Sequence, residues 1–112
     1  MRKDLIAEIQ KQMKSQEIVD KLSRTFSVLG DPTRTKLIFA LSKEELCVAE
    51  LSQILGMSHS AISHQLRALK DLDLVRCCKK GRKAFYSLND KHIENLFKEG
   101  LKHVLERVEK EV

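Results

Sequence analysis

A short and a longer amphipathic helix, joined by a glycine turn, are predicted in the middle of the chain, and they constrain its fold more than any other feature. Residues 49–55 have the spacing of one short helix, Gly56-Met57-Ser58 predicts a tight turn, and Ser58 can cap a longer helix over residues 58–72. The apolar face of the longer helix consists of Ala61, Ile62, Leu66, Leu69 and Leu72. A short helix, a turn containing glycine and a second helix form the helix-turn-helix pattern.

The outer face of the second helix carries small hydrogen-bonding residues and one long cation, which suit base edges and phosphates. After it, residues 74–79 and 83–88 are predicted as two strands joined by a turn at Lys80-Gly81. A basic hairpin directly after such a helix is a wing. The predicted DNA-binding residues are Ser58, His59, Ser60, Ser63, His64 and Arg67 in the helix, and Lys79, Lys80, Arg82 and Lys83 in the hairpin.

The net charge of the chain is concentrated in this region. The chain has 21 Lys and Arg against 16 Asp and Glu, a formal net charge of +5. Residues 67–83 alone carry seven basic and two acidic residues, so the rest of the chain has no formal net charge. One basic patch is the footprint expected of a protein that binds a polyanion, although a solvated charged loop has the same composition.

Apolar periodicity predicts further helices on both sides of this unit. Residues 4–14 and 15–30 are predicted as two helices, and Asp31-Pro32 is predicted to begin a third as its cap and first-turn proline. Residues 45–48 are a candidate minimal strand, and the final helix is predicted over residues 89–111. The predicted fold class is mostly α with a small β-hairpin wing, in one domain covering residues 1–112.

The final helix carries two pairs of metal-ligand residues, Asp90 with His92 and His103 with Glu106. His92 and His103 are 11 residues apart, almost three helical turns, so both rings leave nearly the same face of the helix. The rise between them is about 16 Å. Because Zn–N bonds are only about 2.0–2.1 Å long, one ion cannot contact both rings of the same helix.

A second copy of the helix, antiparallel across a two-fold axis, removes this difficulty. Both pairs are centred at or beside Lys98, so a dyad there brings Asp90 and His92 of one chain against His103 and Glu106 of the other. Two sites result, each with two nitrogen and two oxygen ligands, which suits Zn(II) or Co(II) and is also accepted by Ni(II). Closed two-fold dimers are the commonest soluble oligomers.

Each of these residues also has an ordinary structural interpretation. A single helix histidine is usually a surface residue, and carboxylates are common on solvated helix faces. Asp90 is in addition a candidate N-cap of the final helix. A cap has non-helical dihedral angles, so a capping Asp90 can still turn towards the same ion as His92.

The composition excludes several other classes of protein. Three cysteines, Cys47, Cys77 and Cys78, are too few for a disulfide scaffold, and we expect all three to be packing residues. No run approaches the about 18 apolar residues of a membrane span. The charged first residues do not resemble a signal peptide, so we expect a cytoplasmic protein without a membrane partner.

From about residue 16 onward, these features together resemble the winged-helix repressors of the ArsR/SmtB family. The resemblance is carried by residues 29–34, 48–55, 58–67 and 81–88. It implies a homodimer whose interface is formed by the N-terminal helix (about 4–29) and the C-terminal helix (about 89–111). It also implies operator binding without metal and release when an inducer binds. The set Asp90, His92, His103 and Glu106 resembles the last-helix site of the family's zinc sensors.

One segment departs from the family, and two other functions stay open. Its arsenic, cadmium and lead sensors begin the short helix with Cys-Val-Cys, whereas this chain has Cys47-Val48-Ala49, so a thiolate site there is not expected. One alternative is a thiol-sensing or metal-independent winged-helix regulator. The other is a zinc hydrolase, which is disfavoured because four protein ligands leave no open position on the metal.

Overall fold

The computed structural model describes residues 2–111 and consists, over that range, of six helices and three short strands. In chain order they are α1 (Lys3–Gln12), α2 (Gln16–Leu29), α3 (Pro32–Lys43), β1 (Leu46–Cys47), α4 (Val48–Leu55), α5 (His59–Asp71), β2 (Val75–Lys80), β3 (Lys83–Leu88) and α6 (Lys91–Glu111). The predicted fold class is confirmed, and the predicted minimal strand is β1.

Local capping chemistry sets the starts of three helices. Ser15, Asp31 and Ser58 each accept a hydrogen bond from the backbone N–H three residues further on, at 3.1–3.4 Å. Each bond satisfies one of the N–H groups that a helix start leaves without a partner. Helix α1 ends earlier than the predicted residue 14, because Met13 already has extended backbone, with ψ of 140°.

The strands form one antiparallel sheet in the order β1-β3-β2. Strands β2 and β3 are a hairpin whose register runs from Val75 opposite Leu88 to Lys80 opposite Lys83. Strand β1 adds to the other edge of β3, with Leu46 opposite Tyr86. The wing is therefore fixed to the body of the domain through β1.

The core lies where α3, α4, α5 and the start of β2 meet. The predicted inner residues of α3, Leu37, Ile38 and Leu41, are all buried. They pack with Leu51 of α4 and with three leucine and isoleucine side chains of α5. This core fixes the two helices of the helix-turn-helix against the rest of the domain.

Large apolar surfaces remain uncovered in the single chain. The radius of gyration is 17.9 Å, well above the about 13 Å expected for a compact chain of this length. Exposed apolar side chains concentrate on α1, α2 and the second half of α6; they include Leu5, Ile6, Ile9, Ile18, Leu22, Phe26, Val104, Leu105 and Val108. None of the helices within residues 2–111 is long and apolar enough to cross a membrane.

Candidate DNA-binding surface and metal centre

The turn between α4 and α5 is built on Gly56. Its backbone is left-handed, with φ of 68° and ψ of 36°, which costs an L side chain about 1–2 kcal/mol. The Ser52 hydroxyl donates to the carbonyl of Met57 and closes the turn. These contacts fix the angle at which α5 leaves α4.

Helix α5 has one buried and one open face. Ile62, Leu66 and Leu69 are at most 1% exposed and anchor the helix in the core. The open face carries all the helix residues predicted to bind DNA, and every one is exposed: Ser58, His59, Ser60, Ser63, His64 and Arg67. We call α5 the reading helix, because its exposed hydrogen-bonding side chains are those predicted to contact base edges.

A hydrogen bond between α3 and the reading helix was not predicted from the sequence. The Arg34 guanidinium Nε donates to Gln65 Oε1 at 2.9 Å, and both side chains are half-buried. Arg34 belongs to the first turn of α3, 31 positions earlier in the chain. The contact joins the start of α3 to the middle of α5 and limits rotation of the reading helix.

All four predicted wing cations are exposed, but Lys80 is also held in an ion pair. Lys79, Arg82 and Lys83 are exposed around the turn at Gly81, whose φ is 66°. Lys80 Nζ lies 2.7 Å from Glu45 Oε1, and this hydrogen-bonded carboxylate raises the pKa of Lys80. Binding of a phosphate by Lys80 therefore competes with an existing ion pair.

A polar cavity of about 460 Å³ lies between the reading helix and β3. Its lining includes Ser63, Arg67 and Lys70 of α5 and Tyr86 of β3. Burial and, second, the neighbouring Cys77 thiol raise the pKa of Tyr86, so its hydroxyl stays protonated at neutral pH. Two cations and two hydroxyl groups around one opening suit a phosphate, and the carboxylate of Asp71 in the same lining opposes one. Tyr86 was absent from the predicted set because only the fold brings it beside Arg67, whereas Lys70 lies three residues after Arg67 on the same helix and helix spacing alone could have added it.

Asp90 both caps α6 and faces His92. Its Oδ1 accepts the backbone N–H of His92 at 2.9 Å and of Ile93 at 3.2 Å. The same oxygen lies 3.4 Å from His92 Nδ1, and the imidazole is 94% exposed. The N–H groups, that of Ile93 first, lower the pKa of Asp90, so the carboxylate is ionised and available as a ligand.

His103 and Glu106 lie nearly one turn apart on α6, both exposed, beside a shallow polar depression shared with Glu99 and Lys102. Among residues 2–111 of one protomer, no three His, Cys, Asp or Glu side chains come together as a metal site. Each pair thus offers one imidazole and one carboxylate. These are donors that zinc accepts, and each pair is half of a tetrahedral set.

The start of α6 is tied to the end of the reading helix. Asn89 Nδ2 donates to the carbonyl of Asp73 at 2.8 Å, and the Asn89 N–H donates to the carbonyl of Leu74 at 3.1 Å. Asp73 has a positive φ of 56°. Helix α6 therefore begins at a point that is fixed to the turn after α5.

The three cysteines do not form a common site within one chain. Cys47 is buried, while Cys77 is half-buried and Cys78 exposed, so the two neighbours face opposite sides of β2 as predicted. Cys47 and Cys78 both pair with Phe85, from opposite edges of β3. They are therefore two strand spacings apart, about 10 Å, which is too far for a disulfide.

Comparison with known proteins agrees with this arrangement. The family model described as "Bacterial regulatory protein, arsR family" matches residues 31–76, from the start of α3 into β2. The chain is 39% identical to the transcriptional repressor SmtB homolog of Synechocystis, over 90% of this chain and 76% of that protein. It is 34% identical to the cadmium resistance transcriptional regulatory protein CadC homolog of Staphylococcus aureus, over 92% and 85%.

The fold matches a solved structure over most of its length. A homodimeric winged helix-turn-helix DNA-binding domain from Mycobacterium bovis superposes with a TM-score of 0.80, covering 87% of this chain and 93% of that one. Their identity is 23%, so the likeness concerns the fold alone. The relatives are transcriptional regulators and not enzymes. On its sequence and its architecture, the chain belongs to the ArsR/SmtB family of winged-helix transcriptional regulators.

Proposed function

We propose that this protein is a metal-responsive repressor, which binds operator DNA as a metal-free homodimer and releases it when Zn(II), Co(II) or Ni(II) binds. The observation that carries the proposal is the pair of half-sites on α6. Asp90 turns its carboxylate towards His92 at one end, and His103 and Glu106 lie together further along. The SmtB and CadC homologs are relatives whose names place them among repressors and cadmium-resistance regulators.

The homodimer is supported by the uncovered apolar faces. The outer side chains of α2, among them Ile18, Leu22 and Phe26, are about half exposed, and so are Val104 and Val108 of α6. Apolar patches of this extent on a small domain mark association surfaces. In the proposed dimer, the N-terminal helices and α6 form the interface, and each metal site takes Asp90 and His92 from one protomer and His103 and Glu106 from the other.

The proposed DNA contact places α5 in the major groove and the wing on the backbone. The exposed serines, histidines and Arg67 of α5 have the length and hydrogen-bonding groups that read base edges. The wing cations and the cavity at Tyr86 supply phosphate contacts. In a symmetric dimer, two half-sites lie about one helical turn apart or slightly more.

The proposed coupling between metal and DNA passes through the start of α6. Sites that join one α6 to its partner fix the angle between the two helices. Because Asn89 attaches α6 to the end of the reading helix, that angle sets the separation of the two reading helices. Metal weakens DNA binding only to the extent that it binds the low-affinity form better.

The ligand set favours metals that accept nitrogen and oxygen. Imidazole and carboxylate suit zinc, cobalt and nickel. A thiolate site at the start of α4 is not supported, since Cys47 is buried and Ala49 has no thiol. A switch based on a disulfide between Cys47 and Cys78 of one chain is not supported either, since a whole strand separates the two residues.

The decisive experiment titrates metal-free dimer, bound to labelled operator DNA, with Zn(II), Co(II) and Ni(II) in competition with a chelator of known affinity. We expect release at two ions per dimer. Replacing His92 and His103 together by Gln should abolish it, whereas the control Asn95→Ala, at an exposed residue of the same helix, should leave both the release and the metal affinity unchanged. Release on thiol oxidation, with no response to any of the three metals, would replace this proposal by the thiol-sensing alternative.

A further inference from the structure

A positive charge without an ion-pair partner stands at the end of the inner stripe of α3. Arg34 continues the helical spacing of the buried Leu37, Ile38 and Leu41, and its side chain is half-buried. The ion pairs formed within residues 2–111 do not include it. The nearest acid in sequence, Asp31, uses its Oδ2 to accept the Arg34 backbone N–H at 3.1 Å and so caps α3. Because a guanidinium stays charged in proteins, Arg34 presents a full charge to whatever approaches it from outside.

Most of the hydrogen-bonding capacity of this guanidinium is unused. Its Nε donates to Gln65 Oε1 at 2.9 Å. The two Nη atoms donate to no residue within the described part of the chain, where no buried side-chain nitrogen or oxygen is without a hydrogen-bond partner. The Nη atoms therefore reach the surface of the domain. The bond to Gln65 fixes the plane of the guanidinium and leaves its fork of Nη donors free, which is the geometry that binds a phosphate.

Gln65 lies on the flank of the reading helix that faces away from the wing. At about 100° per residue, the exposed His64 lies nearly opposite the buried Leu66, and this direction defines the outer face of α5. The cavity at Tyr86, with the cations that line it, opens on one side of that face. Gln65, held by Arg34, lies on the other side. Each flank of the reading helix is therefore beside a positive charge.

A helix in the major groove of DNA lies between two phosphate backbones. The groove is about 12 Å wide, and a helix with its side chains is about 10–12 Å across, so phosphates come close to both of its flanks. The cavity at Tyr86 and the wing face the backbone on one side. The other backbone passes the flank at Gln65, where Arg34 supplies a charge. Further along that flank, Arg24 shares a depression with the carboxylate of Asp71, which offsets its charge.

We propose that the Nη groups of Arg34 bind a phosphate of the DNA strand that lies across the major groove from the wing, with Gln65 as the residue that positions the guanidinium. Phosphates then hold the reading helix on both flanks, so it cannot roll towards the wing. Arg34 belongs to α3, which makes this helix a third element of the DNA contact beside the helix-turn-helix and the wing. The inference rests on the DNA contact of the proposed function and adds to it the protein residue that binds the second strand.

The first test measures affinity against salt for a duplex that the wild-type protein selects from a randomised pool. Arg34→Gln should lower the slope of log affinity against log salt by about 0.9 for each protomer, and thus by about 1.8 for a dimer. The affinity should then fall about 60-fold at about 0.1 M salt. The control Lys36→Gln removes the same charge from an exposed position of α3, about 200° round the helix. A slope change in Arg34→Gln no larger than in this control would overturn the proposal.

A second variant separates phosphate binding from support of the fold. Gln65→Met keeps the size of the side chain and the charge of Arg34, but it removes the oxygen that accepts from Nε. It should leave the salt slope close to that of the wild type and lower the affinity less than Arg34→Gln does, because the guanidinium is still present but no longer held. If both variants lower the affinity equally and neither changes the slope, the Arg34–Gln65 bond only supports α5 and the proposal is wrong.

The second test identifies the phosphate by replacing each phosphate of the selected duplex in turn with an uncharged methylphosphonate. The phosphate that Arg34 binds should matter to the wild type and not to Arg34→Gln. The same comparison with Lys70→Gln, in the cavity at Tyr86, identifies a phosphate on the wing side. We expect the two phosphates on opposite strands. The proposal fails if Arg34→Gln depends on every phosphate as the wild type does, or if both phosphates belong to one strand.

The zinc response is measured on the same proteins at low salt, where Arg34→Gln still binds the duplex. Zinc-induced release should persist in this variant, because its half-sites on α6 are unchanged. A wild type that shows the phosphate pattern but does not respond to metal would count against the metal-sensing proposal alone. An unchanged slope and phosphate pattern in Arg34→Gln, with zinc-induced release intact, would count against the role of Arg34 alone. A wild type that selects no duplex from the pool would overturn both.

Discussion

The side-chain amide of Asn89 donates a hydrogen bond to the backbone carbonyl of Asp73 at 2.8 Å. Together with the bond from the Asn89 N–H to the Leu74 carbonyl, it joins the segment that leads into α6 to the turn that follows the reading helix. In the proposed mechanism, it is the part of the chain where a change in α6 first reaches the DNA-binding surface.

We therefore expect Asn89→Ala to reduce the zinc-induced loss of operator affinity while leaving zinc affinity close to that of the wild type. A neutral hydrogen bond contributes about 0.5–1.5 kcal/mol, and the coupling free energy should fall by up to that amount. The control is Asn95→Ala, an exposed residue of the same helix. Operator titrations with and without saturating zinc give both quantities, and equal coupling in the two variants would exclude this route.

His103→Gln should lose zinc-induced release even where some zinc still binds. A histidine ligand usually donates its second ring N–H to a carbonyl or carboxylate, and that bond carries the metal's position into the protein. Each variant is saturated with zinc, and its operator affinity is measured. If the His103→Gln protein releases DNA as the wild type does, His103 does not transmit the metal signal to the DNA-binding surface. That outcome would not contradict the proposed metal site itself.

Replacing Lys79, Lys80, Arg82 and Lys83 together should weaken operator binding for all sequences and flatten its salt dependence. Each lost phosphate contact lowers the slope of log affinity against log salt by about 0.9. Because Lys80 is already paired with Glu45, Lys80→Ala should change the slope less than Arg82→Ala. An unchanged slope in the quadruple variant would mean that the wing does not contact DNA.

Arg67→Ala should cost about 1–3 kcal/mol of operator affinity and relax base preference at one position if Arg67 contacts a base edge. The Tyr86 cavity allows a second outcome, since Arg67 lines it. If Arg67 instead contacts a phosphate, Arg67→Ala should lower operator affinity equally for all sequences. Selection from a randomised operator pool, compared between the variant and the wild type, separates the two roles.

Zinc affinity should fall as pH decreases from 8 to about 5.5, since protons compete with zinc for the ring nitrogens of His92 and His103. The pKa of Asp90 is lowered by the N–H groups that it caps, so its carboxylate stays ionised throughout this range and adds no pH dependence. Only at far lower pH, as Asp90 titrates, is its cap on α6 lost. Competition titrations at half-unit intervals provide the measurement, and a flat profile would exclude imidazole ligands.

The features predicted from the sequence are those set by neighbours along the chain. Ser15, Asp31 and Ser58 cap helices through bonds to residues three positions away, and Gly56 ends α4 with a left-handed backbone. Such local chemistry identifies helix starts and the turn of the helix-turn-helix. The end of α1 was predicted two residues too late, because the residue types at positions 13 and 14 do not strongly disfavour a helix.

The features that could not be predicted are contacts between distant segments. Arg34 meets Gln65 across 31 positions, and Lys80 meets Glu45 only because β1 joins the edge of β3. Tyr86 comes beside Arg67 and Cys77 through the register of the hairpin. On α6, the spacing of Asp90, His92, His103 and Glu106 predicted two half-sites, and their union across a dimer stays a prediction.

In the proposed homodimer, the uncovered apolar faces of α1, α2 and α6 would link folding to protein concentration. A chain whose helices are stabilised by a second copy has an apparent melting temperature that rises with its own concentration, and at low copy number the dissociated chain is open to proteases. Substitutions on these faces would then lower the cellular abundance of the regulator before they altered its response to an inducer. A strain carrying such a substitution would resemble a deletion mutant, and raising the expression level would rescue it.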